Sequence, residues 1–219
     1  MAFGNRRMQV LDTAVVHIIE DDASLRDAID SLLRSVGLKT RAYGSVQSFL
    51  SDKHPDVPGC LLLDVRLPGM SGLDFQTNLA EHNVHMPAIM MTGHGDIPMT
   101  VRAMKAGAID FLTKPFRDQD MLDAVTAAIE KDRRRREGDQ GAAALRAKYE
   151  TLTPREQQVL VLVTAGKMNK QVAADLNLSE ITVKIHRGSV MRKMAARSLA
   201  DLVRMAEALG QSAHKQPTH

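Results

Sequence analysis

The stretch Ala14-Val15-Val16-His17-Ile18-Ile19-Glu20-Asp21-Asp22 decides the fold of the first half of the chain. A run dominated by β-branched residues stops at three acids, which reads as a buried strand ending in a charged turn. Ser24 to Val36 then places Leu25, Ile29, Leu32, Leu33 and Val36 at helical spacing, and Gly37 stands where helix C-caps favour glycine. The alternation repeats. Leu38 to Ala42 is a strand, and Ser45 caps a helix carrying Val46, Phe49 and Leu50. Cys60-Leu61-Leu62-Leu63 is continuously apolar, as expected of a strand buried on both faces. Ser71 to Ala80 is helical, Ala88 to Met91 strand, Ile97 to Ala106 helical and Ala108 to Leu112 strand. Asp118 to Lys131 is helical, with Leu122, Val125 and Ile129 on one face. Five β–α repeats with right-handed crossovers predict an α/β domain over residues 14–131, a doubly wound parallel sheet covered by helices.

The remaining residues need a second domain, and 219 residues leave room for one. Arg133-Arg134-Arg135-Arg136-Glu137-Gly138-Asp139-Gln140-Gly141 breaks the apolar pattern and reads as a charged linker, 132–149, into which the preceding helix extends in part; its four arginines read as a solvated tether, with a DNA contact as the alternative. From Leu152 only helices are expected. Thr153-Pro154-Arg155-Glu156 is a capping box with Pro at the first helical position, and Gly166 ends that helix. Asn169 caps a short helix, Lys170 to Leu176; Ser179 caps a longer one, Glu180 to Met194; Ser198 caps the last. Short helix, tight turn and capped longer helix make a helix-turn-helix within an all-α four-helix domain, 150–208. The tail from Gln211 is polar and expected to fray.

Composition excludes several classes. Hydrophobic content of 44% and charged content of 25% are those of a globular chain. The absence of Trp and 3% aromatics argue against a ring-stacking carbohydrate binder. No apolar run approaches the ~18 residues of a membrane span, and Met1 to Leu11 lacks a signal-peptide core, so a cytoplasmic protein with no membrane partner is expected. A single cysteine, Cys60, excludes an internal disulfide and argues against a zinc finger. The net charge of +3 hides an asymmetry. Residues 1–130 carry 12 Lys and Arg against 17 Asp and Glu, a net of −5; residues 131–219 carry 17 against 9, a net of +8. An acidic half joined to a basic half suggests two tasks, one of them on nucleic acid.

In an open parallel sheet, function gathers at the carboxyl ends of the strands. Those ends hold Glu20-Asp21-Asp22, Asp64, Thr92 and Lys114-Pro115. Crowded carboxylates repel unless a hard divalent cation such as Mg²⁺ lies among them. A cation and a lysine would neutralise a phosphoryl group brought to one carboxylate, which is what phosphoryl transfer requires. In the second domain, the outward face of Glu180 to Met194 is read as carrying Thr182, Lys184, His186, Arg187 and Lys193, suited to a DNA major groove.

These residues carry a resemblance. Glu20-Asp21-Asp22, the run Leu63 to Gly72, Met91-Thr92-Gly93-His94 and the run Ala106 to Phe116 resemble the receiver domain of two-component response regulators. Leu152 to Glu156, Asn169 to Ala173 and Ser179 to His186 resemble the LuxR-type DNA-binding domain, so the whole chain is similar to response regulators of the FixJ/NarL type. The resemblance implies that Asp64 is the phosphoacceptor and that Glu20, Asp21, Asp64 and the backbone carbonyl of Arg66 hold Mg²⁺. Arg26 sets the register to Glu20-Asp21, with Asp22 in a supporting role. It implies that Thr92 and Lys114 bind the phosphoryl oxygens, that Thr92 and Phe111 switch, and that Pro115 follows a cis peptide bond. His94, two residues past Thr92, reads as a surface histidine, with a place near the phosphoryl group as the alternative. Thr182, Val183, His186 and Arg187 would meet bases or their phosphates, and Lys170, Lys184 and Lys193 would meet phosphates.

The implied function is a phosphorylation-activated transcriptional regulator. Its partners would be a sensor histidine kinase, double-stranded DNA and a second copy through the 97–116 face, with RNA polymerase as a further one. It would not be an enzyme beyond self-catalysed phosphotransfer and dephosphorylation. Two other readings remain: an aspartate-nucleophile phosphatase, disfavoured because Arg66 stands where such enzymes place their second Asp, and a receiver with an RNA- or protein-binding output, disfavoured by the basic helix-turn-helix.

Overall fold

The computed structural model describes residues 13–93 and 97–211. The chain divides into two compact units, Met1–Arg136 and Glu137–His219.

The first unit is built on a parallel sheet of β1 (Val15–Ile19), β2 (Lys39–Tyr43), β3 (Gly59–Asp64), β4 (Ala88–Thr92) and β5 (Asp110–Thr113), in the order β2-β1-β3-β4-β5. Between the strands run α1 (Ala23–Ser35), α2 (Val46–Leu50), α3 (Gly72–Thr77) and α4 (Ile97–Lys105), and α5 begins at Asp118. Alternation along the strands sends Cys60 and Leu62 into one core and Leu61 and Leu63 into the other. The first core packs Val16, Ile18, Ile89 and Met91 against Ile29 and Leu33 of α1 and against Met121, Val125 and Ile129 of α5. The second packs Ile19, Met90 and Ala88 against Val46, Phe49, Leu73, Phe75 and Ala103. Because both faces are covered, β1, β3 and β4 are buried at every position, which is why β3 shows no polar alternation. Cys60 is fully buried there, and burial pushes its thiol pKa up.

α5 spans Asp118–Glu150, so the linker expected over 132–149 is helical throughout. The arginine run sustains it. Glu130 pairs with Arg133 at 2.7 Å and Arg134 at 2.9 Å; Asp132 pairs with Arg135 at 2.8 Å and Arg136 at 2.7 Å. These are the i,i+3 and i,i+4 spacings that support a helix, and they oppose the cost of Gly138 and Gly141, about 1 kcal/mol each. Asp132 is also an anchor. Its side chain is fully buried, and Oδ2 accepts from the backbone N–H of Gly59 at 3.1 Å, tying the helix to the start of β3; Arg136 reaches on to Asp56.

A ring cluster lines the opposite face of β1. His17, 1% exposed, lies edge-on to Phe49 and His54 and stacked with Tyr43, with Nδ1 3.3 Å from the Tyr43 hydroxyl. Tyr43 in turn donates to Asp52 at 2.7 Å, and Arg41 pairs with the same carboxylate at 2.8 Å. Burial, then His54 and Arg41, bring the His17 pKa down to about 4, with Asp52 opposing.

The second unit is helical from α5 onward: α6 (Pro154–Thr164), α7 (Asn169–Leu176), α8 (Glu180–Met194) and α9 (Leu199–Ala208). Their core is Val159, Leu160, Val163, Val172, Val183, Val190, Met194, Leu202 and Ala206. Thr153, Ser179 and Ser198 cap as expected. α7 differs: it starts at Asn169, and its first turn is closed by Gln171, whose Oε1 accepts from the Met168 N–H at 2.8 Å. Asn177 ends α7 in the left-handed region at φ 53°, which Asn tolerates well, and so makes the tight turn.

Two outcomes are expected. Asp132→Ala strands the buried Gly59 N–H and should destabilise the first unit by about 1–3 kcal/mol, read as faster amide exchange in β3. His17 carries its proton less readily when folded than unfolded. Acid therefore takes stability away as pH falls from 6.5 to about 4, by roughly 3 kcal/mol in all. Amide exchange in β1, corrected for intrinsic rate, should show that slope and show less of it in His17→Gln.

Candidate phosphoacceptor site and nucleic-acid interface

At the carboxyl edge of the sheet the fold gathers Glu20, Asp21, Asp64, Thr92 and Lys114. Asp64 ends β3 at 5% exposure. Its Oδ2 is 3.1 Å from Lys114 Nζ; its Oδ1 is buried and has no hydrogen-bond partner among the described residues. Lys114 also pairs with Glu20 Oε2 at 2.6 Å. Glu20 is 1% exposed, and its burial raises its pKa, with Lys114 opposing. Asp21 is exposed beside them. Glu20, Asp21 and Asp64 each present an oxygen within 4.8 Å of the others. The same stretch settles what Asp22 does: it caps α1, accepting from the Leu25 N–H at 3.0 Å.

The loop is held from behind. Arg26 Nη1 donates to the carbonyls of Glu20 at 2.7 Å and Asp21 at 3.3 Å, a positioning contact beyond the register role read from sequence. Lys114 is placed by its backbone N–H, which donates to the Thr92 carbonyl at 2.7 Å, and the Lys114–Pro115 peptide is cis as expected. Thr92 is fully buried, with Oγ1 4.0 Å from Met99 Sδ on α4. Phe111, on β5 beside Met90, is half-buried against the core that includes Met99 and Ala103. Arg66 lies two residues past Asp64 with its side chain exposed. His94 lies outside the described residues. Sequence reading missed one residue here: a Cβ on Gly72 would stand 1.9 Å from the Asp64 carbonyl oxygen, so α3 abuts the backbone that carries the phosphoacceptor candidate.

Of the expected DNA-facing residues, Lys170 and Lys184 are exposed, and Thr182, His186 and Arg187 are half-buried. Thr182 shares a 2.8 Å hydrogen bond with Ser179, and Arg187 donates to Asn169 at 3.1 Å, joining α8 to α7. Two expectations need correction. Val183 is fully buried in the helical core with Val159, Leu160 and Val190, so it braces α8 and does not reach a ligand. Lys193 turns inward, to Glu156 at 2.7 Å and the Thr151 carbonyl at 3.0 Å. Burial works against the Glu156 carboxylate, yet Lys193, the Thr153 N–H and Ser189 hold its pKa at about 2. The helix phase explains both. Val183, Val190 and Met194 fix the inward line of α8, and the side opposite is taken by Ile181, 73% exposed, and Ile185, 67% exposed.

Residues 16–126 match the family model described as response regulator receiver domain, and residues 150–206 match that of bacterial regulatory proteins, luxR family. The chain is a response regulator. Nodulation protein W of Bradyrhizobium diazoefficiens is 63% identical over 201 residues, 92% of this chain and 88% of that protein. Transcriptional regulatory protein FixJ of Rhizobium meliloti is 43% identical, over 89% of this chain and 96% of its own. The solved response regulator StyR superposes with a TM-score of 0.81 at 45% identity, over 89% of this chain and 98% of that one. This response regulator joins a receiver to a LuxR-type unit and regulates transcription through DNA, in a system with a cognate histidine kinase. Among the described residues, no helix is long and apolar enough to cross a membrane.

The close approach at Gly72 is testable. Gly72→Ala should cost about 1–3 kcal/mol and shift the amide resonances of Asp64 and Val65. Gly188→Ala, where the backbone is helical and an added Cβ meets nothing within 4 Å, should leave those two resonances in place.

Proposed function

We propose that Asp64 receives a phosphoryl group from a phosphohistidine of the sensor kinase and that this controls DNA binding by the helical unit. The observation that carries the reading is the state of the Asp64 carboxylate. One oxygen is held by Lys114, and the other is buried with no hydrogen-bond partner among the described residues, a nucleophile oriented and kept from water. An Asp64 oxygen bonds to phosphorus as the N–P bond of the phosphohistidine breaks, and the imidazole leaves with the electron pair. Lys114 stays as the counter-charge to the phosphoryl oxygens. The Thr92 hydroxyl donates to one of them, giving up its place beside Met99.

The residues at this edge fit Mg²⁺: three carboxylates converge, one with an orphaned buried oxygen, and oxygen donors suit a hard cation. Glu20, Asp21, Asp64 and the Arg66 carbonyl would hold it, and when bound it neutralises charge on the phosphoryl group.

Movement of Thr92 opens space toward α4, and Phe111 follows it. Phosphorylation thus biases a two-state equilibrium of the α4 face. That face carries Ile97, Val101 and Met104 at 81%, 44% and 46% exposure, spaced along one side of α4, an apolar line suited to a second copy. Two copies on paired half-sites then use Lys170, Lys184, Thr182, His186 and Arg187, with RNA polymerase as the further partner. Residues 14–131 are the receiver and 150–208 the DNA-binding domain, joined by the charged helical segment 132–149; the site of action is the cytoplasm.

Incubation of the full chain with labelled acetyl phosphate and Mg²⁺ should label wild type. It should leave Asp64→Asn unlabelled, though folded by circular dichroism. Label retained on Asp64→Asn would overturn the assignment. Electrophoretic shift across a salt series should favour duplex DNA over structured RNA; the reverse preference would overturn the DNA reading of the output.

A further inference from the structure

One buried polar side chain of the first unit lies outside the phosphoacceptor site and ties two helices together. Gln76, on α3, is 3% exposed. Its Nε2 donates to the backbone carbonyl of Ala103, in the last turn of α4, at 3.1 Å. Its Oε1 is buried with no hydrogen-bond partner among the described residues. A buried amide left half-paired carries a desolvation cost that a leucine or methionine of similar volume would not. Packing alone therefore does not call for glutamine here; what the residue adds is the bond between helices. The Ala103 carbonyl is one of those a helix C-terminus leaves without a partner inside the helix. It also accepts from the Ala108 N–H at 3.0 Å, so α3, α4 and the turn into β5 meet at one oxygen. The other end of α3 rests on the acceptor. Gly72 stands four residues before Gln76, on the same side of the helix, and its added Cβ would lie 1.9 Å from the Asp64 carbonyl oxygen. One side of a single short helix thus presses on the Asp64 peptide and holds α4. This route is separate from that of Thr92, which meets α4 near its start, at Met99.

We propose that Gln76 is a positioning residue of the switch. Its amide holds the end of α4 in the arrangement in which Thr92 lies against Met99, and movement of α4 breaks that bond. Gln76 thereby sets how readily phosphorylation shifts α4, and α3 couples the acceptor peptide to α4 by a path that bypasses Thr92 and Phe111. The assignment rests on the reading that phosphorylation of Asp64 moves α4. Only the difference between the two arrangements counts, and the bond to Ala103 supplies it.

The test uses the full chain carrying carbon-13 in its methionine methyls, so that Met99 and Met104 report the position of α4. Beryllium fluoride with Mg²⁺ serves as the phosphoryl mimic. In wild type the two methyl resonances should move from a free to a saturated position. Gln76→Leu without the mimic should lie on the line joining those positions, displaced toward the saturated end. The displacement should correspond to an equilibrium shifted about 2- to 12-fold, the range one hydrogen bond carries. Its apparent affinity for beryllium fluoride should rise by the same factor, because the competent arrangement is more populated beforehand. Gln76→Met keeps the chain length and lacks the donor; it should behave alike, and it carries the test if the leucine variant does not fold. Wild-type resonances and wild-type affinity in a folded variant would overturn the proposal. So would a displacement only off that line, or a loss of stability to urea with no change in either readout, since each marks a packing role. If wild-type resonances ignore beryllium fluoride, the reading that phosphorylation moves α4 fails first, and the assignment of Gln76 falls with it.

Discussion

Three carboxylates share one edge of the sheet with one ammonium, and the local architecture follows from that imbalance. Lys114 divides itself between Glu20 and Asp64, at 2.6 and 3.1 Å. Asp21 is left exposed, and burial makes Glu20 reluctant to ionise. Like charges this close are tolerated only where strong local fields favour them or a cation joins them. The backbone does the holding: Arg26 grips two carbonyls of the acidic loop, the Thr92 carbonyl fixes the Lys114 N–H, and Gly72 lets α3 press on the Asp64 peptide. The strands supply positions, and the loops behind them keep the charges together.

Much of this was legible in sequence, for identifiable reasons. β3 was readable because burial on both faces writes itself as four consecutive apolar residues. Asp64, Thr92 and Lys114 were readable because a parallel sheet delivers its strand ends to one edge. Gly72 was not, because a glycine's close approach depends on which peptide lies opposite, and that is set by tertiary packing. α7 began one residue earlier than expected because a glutamine two residues into the helix supplied the cap, in place of Asn169. Val183 fits a base-contacting place by motif position and a core place by helix phase; Val190 and Met194, seven and eleven residues on, share its phase, and the core is where it lies.

The arginine run shows the limit of composition. Four successive cations suggest a solvated tether, and charge runs are commonly that. Here the preceding acids, Glu130 and Asp132, lie three and four residues before the arginines, so each arginine of the run is paired along the helix. Spacing, not sign, determined the outcome.

The buried cysteine has one more consequence. Cys60 is the chain's single thiol, and it sits in β3, four residues before Asp64, with its ionisation suppressed by burial. A thiolate reagent can reach it only when the sheet opens. The rate at which Cys60 reacts therefore reports how often the strand that ends in Asp64 opens, at a native residue and with no engineered cysteine.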